Sequence, residues 1–96
     1  MNSISTLHIV SRQLDAPALA SLRRSTNPGD SLLLSCDAVY LALRPDFLAQ
    51  AGDCVALASD VEARGLRALW PATIALIDHA GFVALCVQHG KSLSWA

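Results

Sequence analysis

The stretch from residue 54 to residue 66 constrains the fold of this 96-residue chain more than any other. It opens with the uncharged apolar run CVALA, which predicts a short strand buried on both faces. Ser59 and Glu62 follow at the spacing of a capping box, in which two side chains satisfy the free backbone N–H groups at a helix start. Gly65 comes too early for a long helix and supplies the left-handed residue at the helix end. The stretch therefore predicts a strand that runs directly into a tight helical turn, at the sheet edge where parallel α/β proteins usually place ligands.

The alternation of short apolar runs with helical patterns continues along the whole chain. Asp15 and Asp78 each precede a helical pattern and are predicted to cap it, and Asp37 is predicted to cap a helix over residues 38–43. The predicted strands cover residues 7–10, 31–35, 54–58, 73–77 and 92–95, with the first able to begin near residue 4 and the last able to be an extended tail. This order favours a single α/β domain over residues 1–96, with α/β/α layers and a mainly parallel sheet of about five strands.

The low content of charged residues indicates a subunit interface. Charged residues make up 16% of the chain and apolar residues 53%, whereas a typical soluble domain is about 25% charged. On so small a chain this composition should leave apolar surface uncovered, as an interface requires. An alanine- and leucine-rich monomer is the alternative.

Charge and cysteine content restrict the partners and the compartment. The net charge is −1 and the basic residues are scattered. Because the sequence has no basic stripe, we expect no direct binding to nucleic acid. The apolar segments are too short to span a bilayer, and the first residues lack the basic start and apolar stretch of a signal peptide. Three cysteines without a CxxC pair leave an odd thiol, which fits the reducing cytoplasm best.

Few side chains are candidates for chemistry. Cys36 follows a predicted strand and precedes a predicted helix, whose N-terminus favours a thiolate, although the neighbouring Asp37 opposes it. Cys54 opens a buried strand and Cys86 lies on an apolar helical stripe, so both are predicted to be core residues. Arg64 has two interpretations, an anion contact or interface anchor, or a solvated arginine paired with the nearby Glu62 or Asp60. The histidines share no ligand spacing and no nucleotide motif is present, so we expect neither a metal nor a cofactor.

The residues DVEARGL at positions 60–66 resemble the D-x-x-A-R-G-L/F signature of the TusB/DsrH family. Four more similarities follow the family's order: LH at 7–8, GDSLLL at 29–34, IDHAGFV at 77–83, and the ending from His89 to Trp95. DAV at 37–39 departs slightly from the usual D-G-V. The resemblance implies a small cytoplasmic subunit of a sulfur relay that serves 2-thiolation of the tRNA wobble uridine. It also implies TusC- and TusD-like partners in a heterohexamer, with TusA- and TusE-like carriers contacted only indirectly.

The resemblance also bears on the sulfur site. In the related TusD-type subunit the persulfide cysteine lies eight residues before the glycine of the equivalent turn, a position that Leu57 occupies in this chain. Cys54 lies three residues earlier and faces the other side of the strand. A cysteine that some DsrH-type proteins carry in the first helix is also absent. We therefore expect an accessory subunit without a catalytic residue of its own, with Asp60, Arg64 and Gly65 at an interface or active-site edge.

Three alternatives remain open. The chain could carry sulfur directly through Cys36, or it could be a DsrH-type subunit in sulfur oxidation. The third alternative is a small homo-oligomeric α/β binding module without sulfur chemistry.

Overall fold

The computed structural model describes residues 5–49 and 52–95, and within them five strands form one sheet. The strands are β1 (Thr6–Val10), β2 (Ser31–Leu34), β3 (Cys54–Leu57), β4 (Ala75–Ile77) and β5 (Lys91–Trp95). Their order is β4-β3-β2-β1-β5, and all neighbouring strands are parallel. The predicted α/β class and parallel sheet are confirmed, and the last segment is a strand rather than a tail. A start of the first strand at residue 4 lies outside the described residues.

Helical segments connect these strands. They are α1 (Ala16–Ser25), a 3₁₀ helix (Cys36–Leu43), α2 (Pro45–Leu48), α3 (Ala58–Ala63), a short 3₁₀ helix (Arg67–Leu69) and α4 (His79–Gln88). Two of the predicted caps are confirmed. The Ala18 N–H donates to Asp15 Oδ1 at 2.9 Å, and the Gly81 N–H donates to Asp78 Oδ1 at 2.8 Å. Each carboxylate satisfies a backbone donor that the helix itself leaves free.

The direction of the connections distributes the helices over the two faces of the sheet. From β1 to β4 the chain steps always towards the same edge, and α4 then returns it across the sheet to β5 beside β1. Because crossovers between parallel strands are right-handed, a reversal of direction places the connecting helix on the opposite face. The segments from α1 to α3 therefore cover one face, called the core face below, and α4 covers the other, called the α4 face.

The core face carries the main hydrophobic core. Strand side chains alternate between faces, and the register places Val10, Leu34 and Ala56 side by side on this one. All three are fully buried. The helices contribute the buried residues Leu19, Leu22, Val39, Leu41, Phe47 and Val61 to the same cluster.

The α4 face is covered less completely. Leu7 and Leu33 at the centre of the sheet are fully buried there, but Leu57 and Ile77 at its carboxyl end are only half-buried. Gly81 allows α4 to approach the sheet closely, since a Cβ added at this residue would lie 3.0 Å from the Ile77 Cβ. No residue of α4 is fully buried. The single helix leaves apolar surface open on this side.

A buried polar cluster on the core face joins the edge strand β5 to the sheet. The Trp95 indole N–H donates to His8 Nδ1 at 3.1 Å, so His8 must carry its proton on Nε2 and donate it to Asp30 Oδ2 at 3.0 Å. Asp30 also accepts from the Thr6 N–H at 2.8 Å and the Asn27 N–H at 3.0 Å. Burial acts to raise the pKa of Asp30, but these hydrogen bonds outweigh it and lower the pKa from 3.8 to about 2.

His89, the residue that ends α4, is also buried and hydrogen-bonded. Its Nδ1 lies 2.7 Å from Ser5 Oγ and its Nε2 lies 3.1 Å from Ser31 Oγ. The ring therefore ties the end of α4 to the starts of β1 and β2, which is a structural role.

Candidate functional site at the carboxyl edge of the sheet

The ends of β2 and β3 meet at the carboxyl edge through Cys36 and Asp60. The Cys36 N–H donates to Asp60 Oδ2 at 2.8 Å, which joins the turn after β2 to the first turn of α3. Cys36 has a φ of 50°. Among the residues that the structure describes, it is the only one other than glycine with a positive φ. A left-handed conformation is unfavourable for a residue with a Cβ. The hydrogen bond that the Cys36 N–H donates to Asp60 helps to hold this backbone in place.

Arg64 connects the same two segments from the other side. Its Nε donates to Asp37 Oδ1 at 3.0 Å, its Nη2 lies 3.0 Å from the same oxygen in an ion pair, and its Nη1 donates to the Asp60 carbonyl oxygen at 3.2 Å. The Asp60 carboxylate lies 3.8 Å from Nη1. Three charged side chains thus form a network around the Cys36 turn, with one more negative than positive charge. Arg64 is thus paired with carboxylates, but its shorter ion pair is with Asp37, which was not among the predicted partners; Asp60 is the more distant partner, and Glu62 pairs with Arg67 instead.

Gly65 ends α3 in the predicted left-handed conformation, with a φ of 67°. The Gly65 N–H donates to the Glu62 carbonyl at 3.1 Å and the Leu66 N–H to the Val61 carbonyl at 3.1 Å. These two bonds are those of a Schellman motif. Leu66 and Val61 are both buried, as the hydrophobic contact that accompanies the motif requires.

The predicted capping box is wrong. The helix α3 begins at Ala58 with Leu57 as its N-cap residue, so Ser59 lies inside the helix and makes no cap. Glu62 instead forms an ion pair with Arg67 at 2.6 Å. The strand ends one residue earlier than predicted, which moves the helix start ahead of the serine.

The predicted cap by Asp37 is also wrong. The helix after β2 is a 3₁₀ helix that begins at Cys36, and its N-cap residue is Ser35, without a side-chain cap bond. The Asp37 carboxylate turns to Arg64 instead. An ion pair with a residue 27 positions away replaces the local bond that the sequence pattern predicts.

The three cysteines differ sharply in exposure. Cys54 is buried as predicted, and burial raises the pKa of its thiol to about 12, which makes it inert at neutral pH. Cys86 is exposed, so its assignment to the core is wrong: the sheet-facing side of α4 carries Phe82 and Leu85 instead. Cys36 is exposed at the carboxyl edge. Its surroundings lack the excess positive charge that activates cysteines in many enzymes.

A groove that no sequence pattern predicted lies at the opposite, amino edge of the sheet. Its volume is about 580 Å³, and apolar side chains of α1 and α2 line it together with the turns before β2 and β3. Leu19, Leu22 and Phe47 form its apolar part, and Asp30 and Asp53 also line it. It is separate from the Cys36 turn, which lies at the other end of the strands.

Within residues 5–49 and 52–95, no three histidine, cysteine or acidic side chains come together in a group able to hold a metal ion. No helix in those ranges has the length and apolar character needed to cross a membrane.

Residues 13–92 match the family model described as DsrH like protein. This chain belongs to the DsrH-like family. Protein TusB of Pectobacterium parmentieri is 37% identical to it over 94 residues, which cover 93% of this chain and 99% of the relative. Protein TusB of Cronobacter sakazakii is 40% identical over 88 residues, covering 86% and 90%, respectively. Protein TusB of Salmonella enteritidis is 32% identical over 97 residues, covering 96% and 99%.

The matched region of this DsrH-like chain includes the whole carboxyl-edge network. Asp60, Arg64 and Gly65, which were singled out from the DVEARGL segment, all have defined structural contacts there. Asp60 and Arg64 bind the Cys36 turn, and Gly65 reverses the chain after α3. The pairing of Cys36 with Asp60 was not predicted, although each follows a strand and neighbouring parallel strands end at one edge.

Proposed function

We propose that this DsrH-like chain is an accessory subunit of a TusBCD-like sulfurtransferase complex, which relays persulfide sulfur for 2-thiolation of the tRNA wobble uridine. In this proposal the chain works in the cytoplasm with TusC- and TusD-like subunits in a heterohexamer. It contacts TusA- and TusE-like carriers only indirectly. Membership of the family and the relatives named Protein TusB support the sulfur relay.

The observation that carries the accessory role is the apolar residue Leu57. It is the last residue of β3, directly before the turn that Asp60, Arg64 and Gly65 build. In the related subunit type, the sulfur-carrying cysteine stands at this place. A leucine side chain has no atom that can accept sulfur, and the nearest thiol along the strand, Cys54, is buried with a raised pKa. The strand and turn are present without the nucleophile.

The contacts of the signature residues support the same role. The Asp60 and Arg64 side chains are engaged within the chain, with the Cys36 backbone and with the Asp37 carboxylate. They fix the shape of the carboxyl edge. In a complex, such a rigid edge completes the active site of a neighbouring subunit that supplies the thiol.

Copurification and tRNA thiolation test the proposal. A tagged chain expressed in its native cells should retain TusC- and TusD-like proteins. Deletion of the gene should abolish 2-thiouridine, measured by the retardation of tRNA in mercury-containing gels. Wild type and Cys36→Ser should both restore the modification, because no thiol of this chain is used. Normal thiolation in the deletion strain, or a chain that retains neither partner, would contradict the proposal.

A second candidate function, direct sulfur transfer through Cys36, is favoured by one observation. The Cys36 thiol is exposed at the carboxyl edge, on a residue held at a φ of 50°. In such a transfer the Cys36 thiolate attacks the outer sulfur of a donor persulfide. The donor S–S bond breaks, the donor leaves as a thiolate, and Cys36 becomes the persulfide.

Intact mass spectrometry separates this candidate from the accessory role. The protein is incubated with its upstream persulfide donor and analysed without reductant. A carrier gains one sulfur atom, and Cys36→Ser abolishes the gain, whereas Cys86→Ser, which removes another exposed thiol, retains it. An unmodified wild type excludes the carrier, and so does a gain that persists in Cys36→Ser.

A further inference from the structure

The buried His8 ring has one nitrogen that accepts a hydrogen bond, and the Trp95 indole uses it. An indole N–H can only donate, so His8 Nδ1 must be free of a proton to accept from Trp95 at 3.1 Å. His8 Nε2 then carries the single proton of the ring and donates it to Asp30 Oδ2. The bond between His8 and Trp95 therefore exists only while His8 is neutral.

A second proton on His8 turns this attraction into a repulsion. An imidazolium has an N–H group on each nitrogen, so the new Nδ1–H would point at the Trp95 N–H. The edge of an aromatic ring is also its positive side, and this is the side that the indole presents to His8. Because neither N–H group can accept a hydrogen bond, the Trp95 indole must turn away.

Asp30 gives the charged form of His8 a partner inside the fold. Its lowered pKa keeps the carboxylate ionised at neutral pH, with Oδ2 lying 3.0 Å from His8 Nε2. A carboxylate at this distance favours a protonated histidine, whereas burial alone disfavours it. Histidine is also the side chain whose charge ordinarily changes between about pH 5 and pH 8. A protonated His8 thus keeps its bond to Asp30 when it loses the bond to Trp95.

Asp30 is the charged group that contacts the His8 ring directly. The remaining charged side chains on β5, on α1 and on the loop between β1 and α1 are all exposed: Arg12, Asp15, Arg23, Arg24 and Lys91. Solvent screens exposed charges of this kind. Tyr40 and Cys54 belong to the same core and carry no charge in the range in which histidine titrates. The protonation of His8 is therefore governed mainly by Asp30 and Trp95.

The attachment of β5 to the sheet depends on Trp95 more than on its other side chains. β5 is an edge strand that pairs with β1 alone. Its first four residues are exposed, whereas Trp95 is half-buried against the hydrophobic core. The backbone hydrogen bonds at its two ends are long, 3.4 Å from Lys91 N to the Ser5 oxygen and 3.3 Å from Ser11 N to the Trp95 oxygen. Loss of the indole contact therefore frees this end of the strand.

We propose that His8, Asp30 and Trp95 form a pH-sensitive latch on the edge strand β5. At neutral pH the latch is closed, with the indole N–H bonded to His8 Nδ1. As the pH falls and His8 takes up its second proton, this bond is lost. The Trp95 end of β5 then separates from β1, while the rest of the sheet stays folded. The latch does not depend on a role in sulfur transfer.

Hydrogen exchange of the two indole N–H groups tests the latch within one molecule. NMR spectra of the isotope-labelled chain resolve Trp95 from Trp70, which is the internal control because it donates to the Ile74 backbone carbonyl, a group that does not titrate. The ratio of the two rates removes the intrinsic pH dependence of indole exchange. From about pH 8 to about pH 5, Trp95 exchange should accelerate relative to Trp70 by about tenfold, which corresponds to the loss of one ordinary hydrogen bond.

Two variants assign the response to His8 and Asp30. The glutamine amide of His8→Gln accepts from the indole through its oxygen and donates to Asp30 through its nitrogen, but it takes up no proton in this range. The ratio of exchange rates should then stay constant with pH. Asp30→Asn should move the change in the ratio to lower pH, because the imidazolium loses its charged partner. Circular dichroism confirms that each variant is folded.

Three results would overturn the latch. The first is a ratio of Trp95 to Trp70 exchange that stays constant in the wild type over the whole pH range. The second is a His8→Gln variant whose ratio changes with pH as in the wild type. The third is a loss of the far-ultraviolet circular dichroism signal at the pH at which the ratio changes, because the whole domain would then unfold rather than β5 alone.

Discussion

The two faces of the sheet use similar apolar residues for different purposes. On the core face, α1 to α3 and the 3₁₀ helix enclose residues such as Val10, Leu34 and Val61 completely. On the α4 face a single helix covers the sheet, and Val83 and Val87 point away from it into solvent. The difference shows that the high apolar content of this chain exceeds what its own core needs. The excess is concentrated on one helix, where it forms a surface rather than a core.

The strongest test of this difference removes a core side chain. Leu34→Ala should lower the free energy of unfolding by about 3 kcal/mol, because it deletes buried methyl groups and leaves a cavity in the core. Urea unfolding followed by circular dichroism measures the change. A loss below about 1 kcal/mol would show that the core face is packed no more tightly than the α4 face.

A second test uses the buried charge on the core face. Because the pKa of Asp30 is lowered from 3.8 to about 2, its ionised form stabilises the folded state above pH 4. This contribution, on the order of 2 kcal/mol, is lost as the pH falls from about 4 to about 2. Urea unfolding as a function of pH should therefore show a shallower acid dependence for Asp30→Asn than for wild type. Equal slopes for the two proteins would contradict the assigned hydrogen bonds.

A third test addresses the network of Cys36, Asp60 and Arg64 at the carboxyl edge of the sheet. Asp60→Ala leaves the Cys36 N–H without its acceptor and should cost about 1 to 2 kcal/mol. Arg64→Ala removes contacts to the largely exposed Asp37 and should cost less, about 0.5 kcal/mol. Unfolding measurements on both variants give the order. The reverse order would mean that the ion pair, and not the bond to Cys36, holds the edge.

The smallest effect is expected on the outward side of α4. Val87→Ala should change the free energy of unfolding by less than about 0.5 kcal/mol, since the side chain is 81% exposed and alanine favours the helix. Urea unfolding followed by circular dichroism measures this change. A loss as large as that of Leu34→Ala would show that Val87 packs within the monomer.

The errors of the sequence-based predictions have a common cause. Asp37, Ser59 and Cys86 were each assigned from their immediate neighbours, and each was wrong. Asp37 pairs with Arg64 from another segment, and Ser59 is displaced because β3 ends one residue early. The helical stripe that includes Cys86 could not show which of its sides meets the sheet. For Asp37 a tertiary contact outweighed the local preference, and for Cys86 the packing of α4 on the sheet decided which side is buried.

By itself, the sequence determined the features that depend on residues close together in the chain. The caps by Asp15 and Asp78, the chain reversal at Gly65 and the alternation of strands and helices are of this kind, since their hydrogen bonds span only a few residues. The tertiary structure alone decided the strand order, the bond from Cys36 to Asp60 and the face that each helix covers. Those depend on groups that are distant in sequence and meet only when the sheet assembles. The exposed side of α4 follows from that assembly. Several helical segments share the core face, whereas α4 alone covers the other face and has no helix packed on its outward side.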